Sequence, residues 1–278
     1  MQVKWQIIAN FCKPVISLPA REGCCTMEEN TKRNPFFHVF YCVIRWFVRL
    51  FYPRITLEGV ENIPDQPCLL VGNHAQMNGP IIGDLYIPEK RAIWCAGEMM
   101  HLKEVPAYAY QDFWSTKPGY IRWFFKLLSY IIAPVAVGIF NQPHIIAVYK
   151  DSRILSSFRQ TVNALGRGAN VVVFPEQDKP YNHIVNQFQD GFVDIARLHT
   201  RRTGNPLPFV PMYVAPNLKK VYFGTPIAYC PDNPKEQERQ RICSYLQNEI
   251  TQIAQSLPRH TVVPYNNIPK KDYPTNIP

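Results

Sequence analysis

Charge is the first scarcity in this chain. Only 18% of its 278 residues are Asp, Glu, Lys or Arg, against 46% hydrophobic. A soluble domain usually carries about a quarter charged residues. Long Lys/Arg blocks and recognisable RNA- or DNA-binding motifs are also absent, so the net charge of +9 does not point to nucleic acid. The cations near 45–54 and 122–126 sit inside apolar, aromatic stretches, which suits an anionic membrane surface. None of the eight cysteines has Cys-x-x-Cys spacing, so no metal site is expected. There is no Gly-x-Ser-x-Gly turn, which weighs against a serine hydrolase, and no internal repeat. The apolar stretch at Ile7–Phe11 is too short for a signal peptide and runs into Lys13 and Pro14. The expected setting is therefore reducing, at the cytoplasmic face of a membrane, with peripheral or monotopic attachment.

What is present divides into four stretches. Residues 1–33 are weakly patterned and read as an N-terminal tail. Residues 34–54 predict a helix, with Pro35 in its first turn and Pro53 at its end. His38, Cys42, Arg45 and Arg49 form one narrow polar stripe on it, and apolar and aromatic residues fill the rest. A spanning helix needs roughly 20 apolar residues; this shorter one carries two Arg and suits the membrane interface, with the Arg side chains snorkelling to phosphates. A core helix is the plain alternative. Residues 55–257 alternate short apolar runs with helical patterns and form one domain. Strands are predicted at 68–72, 91–96, 145–149, 170–174, 209–214 and 220–223, and helices at 153–166, 190–202 and 234–257. That interleaving predicts an α/β fold, a mixed sheet flanked by helices. Within it, 119–140 is a second apolar region, broken by Pro134 and Gly138, and reads as interfacial, re-entrant or buried. Residues 258–278 contain five prolines and read as an extended tail.

Two strand ends carry the chemistry. Leu69-Leu70-Val71 stops at Gly72 and delivers Asn73 and His74 into a loop, a common way to hold a general base at a sheet edge. Val171-Val172-Val173-Phe174-Pro175-Glu176 repeats the pattern with a carboxylate. A structural His74 and a locally capping Glu176 are the plain alternatives. His101, His144 and His183 read as loop residues.

Five blocks in order then resemble the glycerolipid acyltransferases, the family of 1-acylglycerol-3-phosphate and lysophospholipid acyltransferases. Leu57–Pro64 followed by Val71-Gly72-Asn73-His74 is similar to the approach to the family's Asn-His-x-x-x-x-Asp motif. Ile145–Asp151 resembles the second block, Phe174–Lys179 the Phe-Pro-Glu-Gly-Thr-Arg block, and Gln187–Phe192 the Phe-Lys-x-Gly segment. Val210–Val214 with Phe223–Ile227 resembles the last. The resemblance implies transfer of an acyl chain from an acyl-CoA or acyl-carrier-protein thioester to a lysolipid hydroxyl. His74 would be the general base, with Asn78 and Glu176 as further catalytic residues. Asn73, Lys150, Arg153 and Lys179 would bind substrate. No bound cofactor is implied; the partners are the acyl donor, a membrane lipid acceptor and the membrane surface.

The departures are specific. Gly79 stands where the family has its orienting Asp. Asn78 can accept from an imidazole N–H but cannot compensate an imidazolium, and in the serine-protease case Asp-to-Asn exchange lowers turnover roughly 10⁴-fold. Either Asn78 serves at reduced rate, or Asp84 or Glu98 substitutes, or the protein binds lipid or acyl thioester without turnover. Lys150 and Lys179 replace family Arg residues and lose the bidentate fork, which suggests a non-standard acceptor head group. Gln177 replaces a family Gly and would be strained if its backbone required positive φ.

Overall fold

The computed structural model describes residues 35–88, 90–114 and 118–277, so the expected tail at 1–33 lies outside the described residues. The chain divides into two units, Met1–Tyr52 and Pro53–Pro278. The described part of the first is helix α1 (Pro35–Phe51), at the place its proline punctuation predicts. Val43, Trp46, Phe47, Leu50 and Phe51 are exposed on it at helical spacing.

The second unit is built on β1 (Thr56–Glu58), β2 (Leu69–Gly72), β3 (Arg91–Ala96), β4 (Ile145–Val148), β5 (Asn170–Val173), β6 (Glu176–Pro180), β7 (Asn186–Phe188), β8 (Pro208–Ala215), β9 (Lys220–Phe223) and β10 (Ile227–Ala228). Eight of these form one sheet in the order β1-β9-β8-β2-β5-β3-β4, with β10 also against β8; β6 and β7 pair separately. β2 runs parallel to both β5 and β8, and β3 parallel to β5 and β4. β9 and β10 are antiparallel to β8, which makes the sheet mixed as expected. Strands covered on both faces must be apolar throughout. Accordingly Leu69, Leu70, Val71 and Val171–Val173 are fully buried, as are Phe209, Val210 and Met212 of β8.

The helices of this unit are α2 (Asn78–Leu85), α3 (Val105–Ala109), α4 (Arg122–Phe140), α5 (Ile154–Gly166), α6 (Asp194–Thr203) and α7 (Lys235–Ser256). α7 packs on β8 and buries Ile242, Leu246, Ile250 and Ala254 completely, one face at i, i+4 spacing. α5 is fixed to the sheet by polar contacts: Ser157 Oγ donates to the Ala147 carbonyl at 2.6 Å, and Trp94 Nε1 donates to Thr161 Oγ1 at 2.9 Å.

Two features differ from the sequence expectation. α4 continues unbroken through Pro134 and Gly138. Pro134 removes one hydrogen bond to the preceding turn, but Ala133 and Ala136 are buried against Met99, Val105 and Ala109, so packing holds the helix. Its other face leaves Trp123, Phe124, Leu127, Tyr130 and Ile131 exposed. Among the described residues, Gly119–Phe140 is the one helix long and apolar enough to cross a membrane by length and composition. The second difference is at the C-terminus. Residues 258–277 are packed onto the domain, with Val262 and Asn276 buried. Proline content marks an extended backbone, and an extended backbone can be anchored by a few buried side chains.

Candidate active site at the C-terminal ends of the parallel strands

The register of β2 and β5 builds the site. Val71 is the partner of Val173 in this parallel pair. Each strand then leaves the sheet at the same edge, and three residues further on stand His74 and Glu176. The Glu176 carboxylate accepts the His74 backbone N–H through one oxygen and the Asn186 N–H, at 2.7 Å, through the other. Burial pushes this carboxyl up to about 7, while its two backbone donors pull the other way. Glu176 thus ties the His74 loop to the β6–β7 hairpin. In this structure its contact to His74 is through the backbone.

His74 is half-buried. Its ring meets Phe174 at 5.5 Å and Tyr265 at 5.6 Å, edge-on to each. Burial pushes the imidazole below its ordinary value, opposed in part by the backbone at Gln76. That shift favours the neutral imidazole, the form a general base needs. Among the described residues its buried Nδ1 has no hydrogen bond of normal geometry.

The turn from His74 into α2 is tight. Ala75 and Gln76 have φ of 46° and 53°, both left-handed, and Gly79 N–H donates to the His74 carbonyl at 3.0 Å. Two successive non-glycine residues in that region are held only where the surroundings over-determine them. Part of that hold is at hand. The Gln76 amide meets the Tyr273 hydroxyl at 2.9 and 3.1 Å and the Asn266 carbonyl at 3.3 Å.

The remaining expected residues are spread out. Asn73 is 2% exposed, and its amide accepts from Val214 N–H at 2.7 Å and donates to Val214 O at 3.1 Å. It clamps β2 to β8 and thereby aims His74, so its amide is engaged by the sheet. Asn78 donates to the Ala75 carbonyl at 3.0 Å and closes the turn. Arg153 is held by Asp151 at 2.8 Å and stacks 3.9 Å over the Tyr149 ring, so its charge is already matched. Lys150 and Lys179 are exposed. Asp84 pairs with Arg91 and His144. Arg91 begins β3, at the N-terminal end of the parallel strands, whereas His74 follows the C-terminal end of β2, so Asp84 does not replace the motif Asp. Gln177 lies in β6 and is not among the residues with positive φ, so its backbone carries no such strain. His101, His144 and His183 lie in loops as expected, and each has a partner there: the Tyr149 hydroxyl at 2.9 Å, Asp84 at 3.0 Å and the Asn276 carbonyl at 3.2 Å.

Sequence reasoning missed Gln76, Tyr265 and Tyr273. Gln76 lies inside the recognised loop, but no local pattern marks the two tyrosines, which reach the site from the far end of the chain.

No curated protein matches the chain. Among solved structures it is similar to the crystal structure of a 1-acyl-sn-glycerophosphate acyltransferase, PlsC, from Thermotoga maritima. The identity is 18%, the TM-score 0.44, and the match covers 82% of this chain and 85% of that one. The family pattern described as Acyltransferase matches residues 54–215, which include β2 with His74, β5 with Glu176 and the parallel core between them. The chain belongs to the acyltransferase family.

Proposed function

We propose that this chain transfers an acyl group from an acyl-CoA or acyl-carrier-protein thioester to the hydroxyl of a lysophospholipid or related acceptor, with His74 as general base. The observation that carries this reading is the placement of a half-buried imidazole just past the C-terminal end of the parallel strand β2, in a chain of the acyltransferase family. The step needs no covalent enzyme intermediate. As the acceptor oxygen attacks the thioester carbonyl, His74 takes its proton; the thiolate leaves and is protonated. Asn73 and Glu176 would act by fixing the backbone that aims the ring. Lys150 and Lys179, exposed and carrying point charges, would attract an anionic head group without gripping it bidentately. The exposed apolar faces of α1 and α4 support attachment to the surface that holds the acceptor.

A second reading has its own observation. Among the described residues the buried Nδ1 of His74 has no hydrogen bond of normal geometry, so the tautomer that leaves the other ring nitrogen free as a base carries a poorly paired buried N–H. Leaving such a donor unpaired costs about 1–3 kcal/mol, which favours a protein that binds lipid or acyl thioester without turnover. One experiment separates the readings: transfer from a labelled acyl thioester to a panel of lysolipids in vesicles, for the wild type and His74→Ala. General-base catalysis typically contributes 10²–10⁴-fold, and a loss of about that size is expected in the variant. Thioester binding without wild-type product would establish the second reading. A phosphomonoester preference in the panel would overturn the expectation of a non-standard head group.

A further inference from the structure

The acid that orients the base in the family motif is missing, yet the His74 imidazole is confined. It is bounded by Phe174 at 5.5 Å with an interplanar angle of 68°, and by Tyr265 at 5.6 Å and 86°. Phe174 comes from the turn that also supplies Glu176. Tyr265 comes from the C-terminal segment, which is closed into a loop by its own neck. Thr261 bridges Thr275, Val262 N–H donates to Pro274 O at 2.9 Å, and Asn276 N–H donates to His260 O at 3.1 Å. The neck is bolted to the domain. Asn276 is fully buried; its amide donates to Ala254 O at 2.8 Å, at the end of α7, and its side-chain oxygen accepts His260 N–H at 2.8 Å. His260 Nε2 lies 2.8 Å from the Tyr213 hydroxyl on β8.

From that neck the loop 263–273 reaches the turn after β2. It touches the turn at two places: Tyr265 on the His74 ring, and Asn266 with Tyr273 on the Gln76 amide. Gln76 is one of the two left-handed residues, so the loop helps hold the strained turn as well as the ring it presents.

We propose that the C-terminal loop is a working part of the catalytic centre, with Tyr265 as a positioning residue that holds the His74 imidazole by ring packing where the family motif uses a carboxylate. The inference rests on the reading of His74 as the base. A ring wall on two sides fixes the plane of the imidazole without adding charge. It acts on alignment, so its removal lowers kcat more than it weakens binding.

The test measures kcat and KM for acyl transfer in the wild type, His74→Ala, Tyr265→Phe and Tyr265→Ala, with melting curves alongside. Tyr265→Phe keeps the ring and is expected within about threefold of wild type, whereas Tyr265→Ala is expected to lose kcat by about 10²-fold, the order associated with a misplaced reacting group, with KM for the thioester little changed. If Tyr265→Ala does not fold, Tyr265→Leu keeps the bulk without the aromatic face and is expected to lose kcat likewise. An inactive His74→Ala beside a fully active Tyr265→Ala overturns the inference and leaves the base in place. Equal loss in Tyr265→Phe and Tyr265→Ala overturns ring packing in favour of the hydroxyl. An active His74→Ala, or an inactive wild type, removes the underlying reading and this inference with it.

Discussion

Gly79 occupies the motif position of the acid, and its surroundings leave no room for one. A Cβ there would stand 2.5 Å from the His74 carbonyl oxygen and 2.9 Å from Phe174 Cε1. Gly79→Asp is therefore expected to destabilise by about 1–3 kcal/mol, the range for overpacking, and to give no gain in turnover; melting curves and acyl-transfer rates check both. A stable, faster Gly79→Asp would show that the turn re-forms readily around an acid. Glu176 sets a second residue-scale expectation, with the sign fixed by burial pushing its carboxyl up to about 7 from an ordinary value near 4.5. A group bound to its proton more tightly when folded stabilises the fold at low pH. That contribution is complete below about pH 4.5, falls as pH rises, and is gone above about 7. Urea unfolding across that window should show a falling component that Glu176→Gln removes, while the same variant loses one of the two backbone N–H bonds. A slope unchanged in Glu176→Gln assigns the pH dependence to other groups.

At the scale of elements, α1 and α4 pose the same physical question. Each exposes a row of large apolar side chains that water does not favour: Trp46, Phe47, Leu50 and Phe51 on α1, and Trp123, Phe124, Leu127 and Ile131 on α4. Burial of one such side chain contributes roughly 1.5–3 kcal/mol. Leu127→Glu combined with Ile131→Glu should therefore lower partition into phospholipid vesicles by at least about tenfold, measured by co-sedimentation, without changing the melting temperature. Unchanged partition would take α4 out of the membrane contact. The helix was legible as an apolar stretch with Arg122 and Lys126 near its start. Its continuity was not, because Pro134 and Gly138 are breakers by local propensity, and only the packing of Ala133 and Ala136 against the Met99 cluster overrides them.

For the whole molecule, chain order and register decide the function together. The apolar runs at β2, β5 and β8 could be placed from sequence within a residue or so, because a strand covered on both faces has almost no freedom of composition. The two chemical groups at their ends were legible for the same reason: His74 and Glu176 each follow an apolar run that stops at a turn residue. Their meeting was not legible, since nothing in either segment states that Val71 pairs with Val173. The same holds for Asn73, which looked like a substrate ligand until Val214 was seen to occupy both ends of its amide. The C-terminal segment is the largest change of meaning. Its prolines announce an extended chain, while its packing depends on His260, Asn276 and Tyr265 finding partners on β8, α7 and the His74 turn. Sequence by itself determined the α/β class, the family blocks and the identity of the candidate base, because hydrophobic period and motif chemistry are local. The tertiary structure alone decided which groups surround that candidate base, because those contacts join residues far apart in the chain and depend on strand register and packing.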